Sequence, residues 1–137
     1  MRGILLFDWG DTLMQDLGHP GPMARWPEVR AVDGAAAVLE RLSGPWRLCL
    51  ATGAADSGEA LIREALARAG LERYLERVFC KANVGAAKGD PDYLPAVARA
   101  LGAAPACCVV VGDSVRMDVA PAPARRRPTR PRTCWRR

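Results

Sequence analysis

Two carboxylates, Asp8 and Asp11, stand three residues apart in FDWGDTLM, at the end of a short apolar run. An acid two positions after Asp8 would make this a phosphoryl-transfer signature. Gly10 fills that position, and the second acid arrives one residue late. Three other places carry groups able to do chemistry. Thr52 and Gly53 lie in LATGA, and Lys88 lies in VGAAKGDPDY. Asp113 lies in VVVGDSVRMD, followed five residues later by Asp118. Each has a plainer reading. Asp8 could cap a turn, Thr52 could belong to ordinary turn chemistry, Lys88 could be a surface lysine, and Asp118 could cap a helix. Asp113 after VVVG is the hardest to explain by structure alone.

The elements that position these groups can be read from period and punctuation. RGILLF (Arg2 to Phe7), WRLCLA (Trp46 to Ala51), RVFCKA (Arg77 to Ala82) and ACCVVV (Ala106 to Val111) read as strands. The last is continuously apolar, which predicts burial on both faces. GAAAVLERLSG (34–44), DSGEALIREALARAG (56–70) and DPDYLPAVARALG (90–102) read as helices. Asp56 or Ser57 is expected to cap the second and Gly70 to stop it. Pro91 and Pro95 fall early in the third, where proline is tolerated, and Asp90 and Asp92 suit its N-terminus. Residues 14–30, with two glycines and three prolines, read as a loop, and His19 as a solvated member of it. Strands alternating with helices predict an α/β fold with a mostly parallel sheet. Ligands of such sheets bind beyond the carboxyl ends of the strands. Asp8, Asp11, Thr52, Lys88 and Asp113 can all converge there.

ILLFDWGDTL, LCLATG, Lys88 in KGDPDY, and VVVGDSVRMD together resemble, in order, the four motifs of the haloacid dehalogenase (HAD) superfamily of hydrolases. The resemblance covers about residues 2–120. It implies a Rossmann-like three-layer α/β/α fold and, most often, hydrolysis of phosphoric monoesters. On that reading Asp8 is the nucleophile and forms an aspartyl-phosphate. Mg²⁺ is held by Asp8, the Gly10 carbonyl, Asp113 and Asp118. Thr52 and Gly53 bind the phosphoryl group, and Lys88 offsets its charge. The family usually places its acid–base carboxylate where Gly10 stands. In extended chain, residues three apart face opposite ways, so Asp11 replaces that acid only if the turn at Gly10 swings it inward, as glycine permits. Without such a group the loss is about 10²–10⁴ in rate. The alternatives are a catalytically impaired or non-catalytic relative and a metal-free dehalogenase-type enzyme.

Length and composition fit that picture. With 137 residues, 50% hydrophobic and 26% charged, the chain suits one globular domain. No apolar run is long enough to span a bilayer, and the four-residue apolar stretch before Asp8 is no signal peptide. Five cysteines with no CxxC suggest neither a disulfide framework nor a zinc site, so a reducing cytoplasm is expected. The net charge of +5 belongs to the end of the chain: residues 1–120 hold 13 basic and 15 acidic residues, and residues 121–137 hold seven arginines and no acid. That Pro/Arg-rich tail is expected to be disordered. A nucleic-acid partner, resting on the tail alone, ranks below a small phosphorylated substrate. Because the family normally continues with a helix and a strand after Asp118, a reading frame that departs from it near Pro121 is the favoured account of the tail. Neither 13–44 nor 54–87 leaves room for the cap domain that many relatives insert, so a capless, open site is expected.

Overall fold

Alternate residues of the apolar runs point to opposite sides of one sheet. In the computed structural model, which describes residues 2–113, the strands are β1 (Gly3–Phe7), β2 (Trp46–Ala51), β3 (Arg77–Phe79) and β4 (Cys108–Val111). They pair in parallel in the order β3-β2-β1-β4. Leu5, Phe7, Leu48, Leu50 and Val78 pack on one face against α1 (Ala35–Leu42) and α2 (Glu59–Arg68), through Leu39, Ile62 and Leu66. Ile4, Leu6, Cys49, Ala51 and Phe79 pack on the other against α4 (Tyr93–Ala100), through Tyr93 and Val97. This is the expected three-layer α/β/α arrangement, with the period-two pattern of a sheet covered on both sides. Between β1 and α1 the one helical element is a 3₁₀ turn at Met23–Arg25, and no cap domain occurs among the described residues. No described helix is long and apolar enough to cross a membrane.

Leu50 lies in β2 and is fully buried. Leu50→Ala is expected to destabilise the fold by about 2–5 kcal/mol, read as a lower denaturation midpoint.

Several expectations need correction. The third strand ends at Phe79, not Ala82, because the Asn83 side chain competes for the backbone. Its Oδ1 accepts the Cys80 N–H (2.9 Å), its Nδ2 donates to the Val78 carbonyl (2.7 Å), and the short helix α3 (Lys81–Val84) begins instead. β4 has only β1 beside it among the described residues, so Val109 and Val110 are half-buried and Val111 is 36% exposed. α2 starts from Gly58 without a side-chain cap, and the Ser57 hydroxyl donates to Asp56 instead. Gly70, at φ 75°, does stop α2. Asp92 precedes α4 but makes no capping bond, while Asp90 holds the turn before it. Asp118 and the tail at 121–137 lie outside the described residues.

Candidate active site

The sheet delivers Asp8, Thr52 and Asp113 to one rim because their strands are in register there. The Asp8 N–H donates to the Val111 carbonyl of β4 (2.8 Å), and the Thr52 N–H donates to the Phe79 carbonyl of β3 (2.9 Å). Lys88 arrives from the turn before α4. Asp90 closes that turn by accepting the Ala87 N–H through its side chain and donating its own N–H to the Ala87 carbonyl. Gly89 sits at φ 101°. A proline, locked near φ −65°, could not take that conformation.

Lys88 is 8% exposed, and its Nζ donates to Asp8 Oδ1 (2.7 Å) and to the Ala51 carbonyl (2.9 Å). Thr52 is 3% exposed, and its hydroxyl oxygen accepts the Ala54 N–H (3.0 Å). Burial pushes the Asp8 carboxyl above its ordinary value. Lys88 pulls it down, and the neighbouring Asp113 carboxylate pushes it up again. A cavity of about 460 Å³ is lined by Asp8, Gly10, Thr52, Gly53 and Lys88 together.

Asp11 does not join them. It is exposed, takes the left-handed backbone conformation (φ 56°), and its Oδ1 accepts the Asp16 N–H (3.0 Å). The cause is the tight turn after β1, in which the Trp9 carbonyl accepts the N–H groups of Leu13 and Met14 (3.1 and 2.9 Å). That turn directs Asp11 into the following loop and not toward Asp8. Swinging inward at Gly10, the condition for Asp11 to replace the missing acid, is therefore not met.

Sequence reasoning missed the other side of the cavity. Trp9, Met23 and Trp26 line it with Asp16, His19 and Asp56. His19 is exposed, as expected of a solvated loop residue, and it also lines the cavity, meeting Trp26 edge-on with ring centroids 5.4 Å apart. The loop is held from α2: Arg68 donates to the carbonyls of Ala24 (3.0 Å), Trp26 (2.8 Å) and Pro27 (3.3 Å). Only the Gly and Pro content of 14–30 hinted at a shaped loop. Arg68→Met is expected to loosen this wall, by about 1–2 kcal/mol. Amide exchange at Arg25 and Trp26, whose N–H groups bond to Pro22 and Met23, should become faster.

The donor set fits a hard divalent cation. Asp113 lies within side-chain hydrogen-bonding reach of Asp8 and so raises its carboxyl, and a cation between the two would take the place of the shared proton. No hydrogen bond is made to the Gly10 carbonyl among the described residues. No group of three metal-ligating acid, His or Cys side chains gathers among the described residues. The residues that could hold a cation here are Asp8, Asp113 and the Gly10 carbonyl, an all-oxygen set of the kind Mg²⁺ prefers.

Residues 19–124 match haloacid dehalogenase-like hydrolases. The chain belongs to the HAD-like hydrolase family. The matched stretch holds Thr52, Lys88, Asp113 and Asp118, and begins after Asp8. No curated protein matches the chain. Among solved structures, an uncharacterized protein from Listeria monocytogenes serotype 4b is similar at a TM-score of 0.79 and 20% identity, over 88% of this chain and 72% of that one. A HAD phosphatase from Thermococcus onnurineus is similar at 0.57 and 27% identity, over 69% of this chain and 42% of that one. YfnB of Bacillus subtilis, described as bound to magnesium, is similar at 0.59 and 19% identity, over 67% of this chain and 40% of that one. The chain thus spans well under half the length of those last two HAD-like proteins.

Proposed function

We propose that this HAD-like hydrolase is a Mg²⁺-dependent phosphomonoesterase acting through an aspartyl-phosphate on Asp8. The observation that carries the reading is the buried Asp8–Lys88 pair (2.7 Å), which lines one cavity with Thr52 and has Asp113 beside it. A structural ion pair needs neither the hydroxyl nor the second carboxylate. A phosphoryl-transfer site needs all four. Asp8 attacks phosphorus with a carboxylate oxygen. Lys88, anchored on the Ala51 carbonyl, offsets charge gathering on the phosphoryl oxygens. The Ala54 N–H fixes the Thr52 oxygen, which leaves the hydroxyl proton to be donated to a phosphoryl oxygen. Mg²⁺ held by Asp8, the Gly10 carbonyl and Asp113, with Asp118, would neutralise the phosphate so that the carboxylate can approach it. The reading's partner is a small phosphorylated molecule and its compartment the cytoplasm. It involves no membrane, and a nucleic-acid partner, resting on the basic tail alone, ranks below the phosphorylated molecule.

The test is hydrolysis of 4-nitrophenyl phosphate by the wild type and by Asp8→Asn, with Mg²⁺ and with chelator. Metal-dependent turnover that the substitution removes supports the reading. Turnover indifferent to chelator overturns the Mg²⁺ dependence and favours the metal-free reading. A second reading, a relative with little or no turnover, is favoured by one observation: Asp11 is bonded to Asp16 and stands outside the cavity.

A further inference from the structure

Acid–base help in this cavity has to come from somewhere other than Asp11, and the cavity lining offers few groups. Those that line it with His19 are Asp16 from the same loop, Asp8 at the end of β1, Asp56 from the loop after β2, and Lys88 from the turn before α4. Asp8 and Lys88 are committed to each other (2.7 Å). Asp16 Oδ1 accepts the Gly18 N–H (2.9 Å), and Asp56 Oδ1 accepts the Ser57 hydroxyl (3.2 Å). His19 is the one imidazole in the sequence, and imidazole is the side chain suited to giving and taking protons near neutral pH. We propose that His19 is the general acid and base of this site, in the role that a carboxylate at the Gly10 position would otherwise fill. The inference rests on the phosphomonoesterase reading.

The loop around the exposed His19 is anchored on both sides. Upstream, Asp11 fastens the Asp16 N–H and Asp16 fastens the Gly18 N–H. Downstream, the Trp26 indole donates to the Gly21 carbonyl (2.9 Å), and Arg68 clamps Trp26 from α2. His19 lies between these two anchored points with its ring against Trp26. The displaced acid is thus a positioning residue for the loop that carries its replacement.

The step balances as follows. An Asp8 oxygen bonds to phosphorus while the ester P–O bond breaks, and its electron pair leaves on the ester oxygen. That oxygen takes the proton of the His19 imidazolium and departs as the alcohol. Neutral His19 then takes a proton from the water whose oxygen attacks phosphorus. The bond to Asp8 breaks back to carboxylate, inorganic phosphate leaves, and the imidazolium is restored.

A leaving group that departs without a proton should not need His19. The experiment compares wild type, His19→Asn and Asp11→Asn on 4-nitrophenyl phosphate and on glycerol 2-phosphate, with folding checked by circular dichroism. His19→Asn is expected to lose about 10²-fold in kcat on the glycerol ester and only a few-fold on the nitrophenyl ester. Asp11→Asn, which keeps an acceptor for the Asp16 N–H but carries no acid, is expected to lose no more on the glycerol ester than on the nitrophenyl ester. An equal loss on both esters in a folded His19→Asn, or no loss, overturns the assignment. So does a selective loss on the glycerol ester in Asp11→Asn, which would return the role to Asp11. A wild type that cleaves only the nitrophenyl ester also overturns it, because no acid is then at work. A wild type inactive on both esters overturns the phosphomonoesterase reading itself.

Discussion

Asp8→Asn is expected to abolish phosphomonoester hydrolysis, with a loss in kcat of at least about 10⁴-fold, the scale at which enzymes lose a covalent nucleophile. The substitution keeps the size of the side chain and an oxygen able to accept from Lys88, which holds Asp8 at 2.7 Å. The fold should therefore survive. On the proposed mechanism, what goes is the negative oxygen that would attack phosphorus and one carboxylate of the pair proposed to hold the metal. The same variant carries a readout that needs no turnover. Mg²⁺ binding only the native state stabilises it by RT ln(1 + [Mg²⁺]/Kd), about 2.7 kcal/mol at a hundredfold excess over Kd. The Mg²⁺-induced rise in Tm expected of the wild type should shrink in Asp8→Asn. An equal rise in both proteins would place the metal elsewhere.

Lys88→Met is expected to cost about 10²–10³-fold in kcat, the range for removing one preorganised charge partner of a transition state. Methionine matches the length of lysine and leaves Asp8 in its buried setting without the ammonium that Lys88 supplies. Removing one partner of a buried pair costs about 3 kcal/mol or more. The pH dependence has a definite sign. Asp8 is raised above 3.8 in the fold, first by burial, and Lys88 is the largest opposing influence. A raised carboxyl contributes stability that is full below its unfolded pKa and is lost as pH rises through the folded value. Loss of Lys88 raises the folded value further. In metal-free protein, the Tm deficit of Lys88→Met should therefore be larger at neutral pH than near pH 4. A deficit independent of pH would mean that packing, not charge, is what Lys88 supplies.

The sequence carried the frame of the site and not its far wall. β2 runs over Trp46–Ala51 as read, because an apolar run bounded by Pro45 and Gly53 leaves little choice. Asp8, Thr52 and Asp113 were legible because each closes an apolar run, and parallel strands in register put their ends side by side. The end of β3 was not legible, since it depends on Asn83 reaching back to Cys80 and Val78. Asp11 was legible as chemistry and misplaced in space: spacing gives the residue type, but its left-handed turn follows from bonds to the Trp9 carbonyl. His19 was invisible as a cavity residue. Its place depends on Trp26 and on Arg68, which lies 42 residues beyond Trp26 in the chain. No local pattern encodes such a clamp.

The central claim is that Asp8 carries the phosphoryl group, and acid-quenched peptide mapping tests it most directly. The protein is mixed with 4-nitrophenyl phosphate and Mg²⁺, quenched in acid during turnover, digested and analysed by mass spectrometry. The account predicts one peptide, the one spanning Asp8, heavier by a single phosphoryl group. It should be unmodified in chelator and in Asp8→Asn. Product formed in Mg²⁺ with that peptide unmodified, or a phosphoryl group carried on another residue, would contradict it.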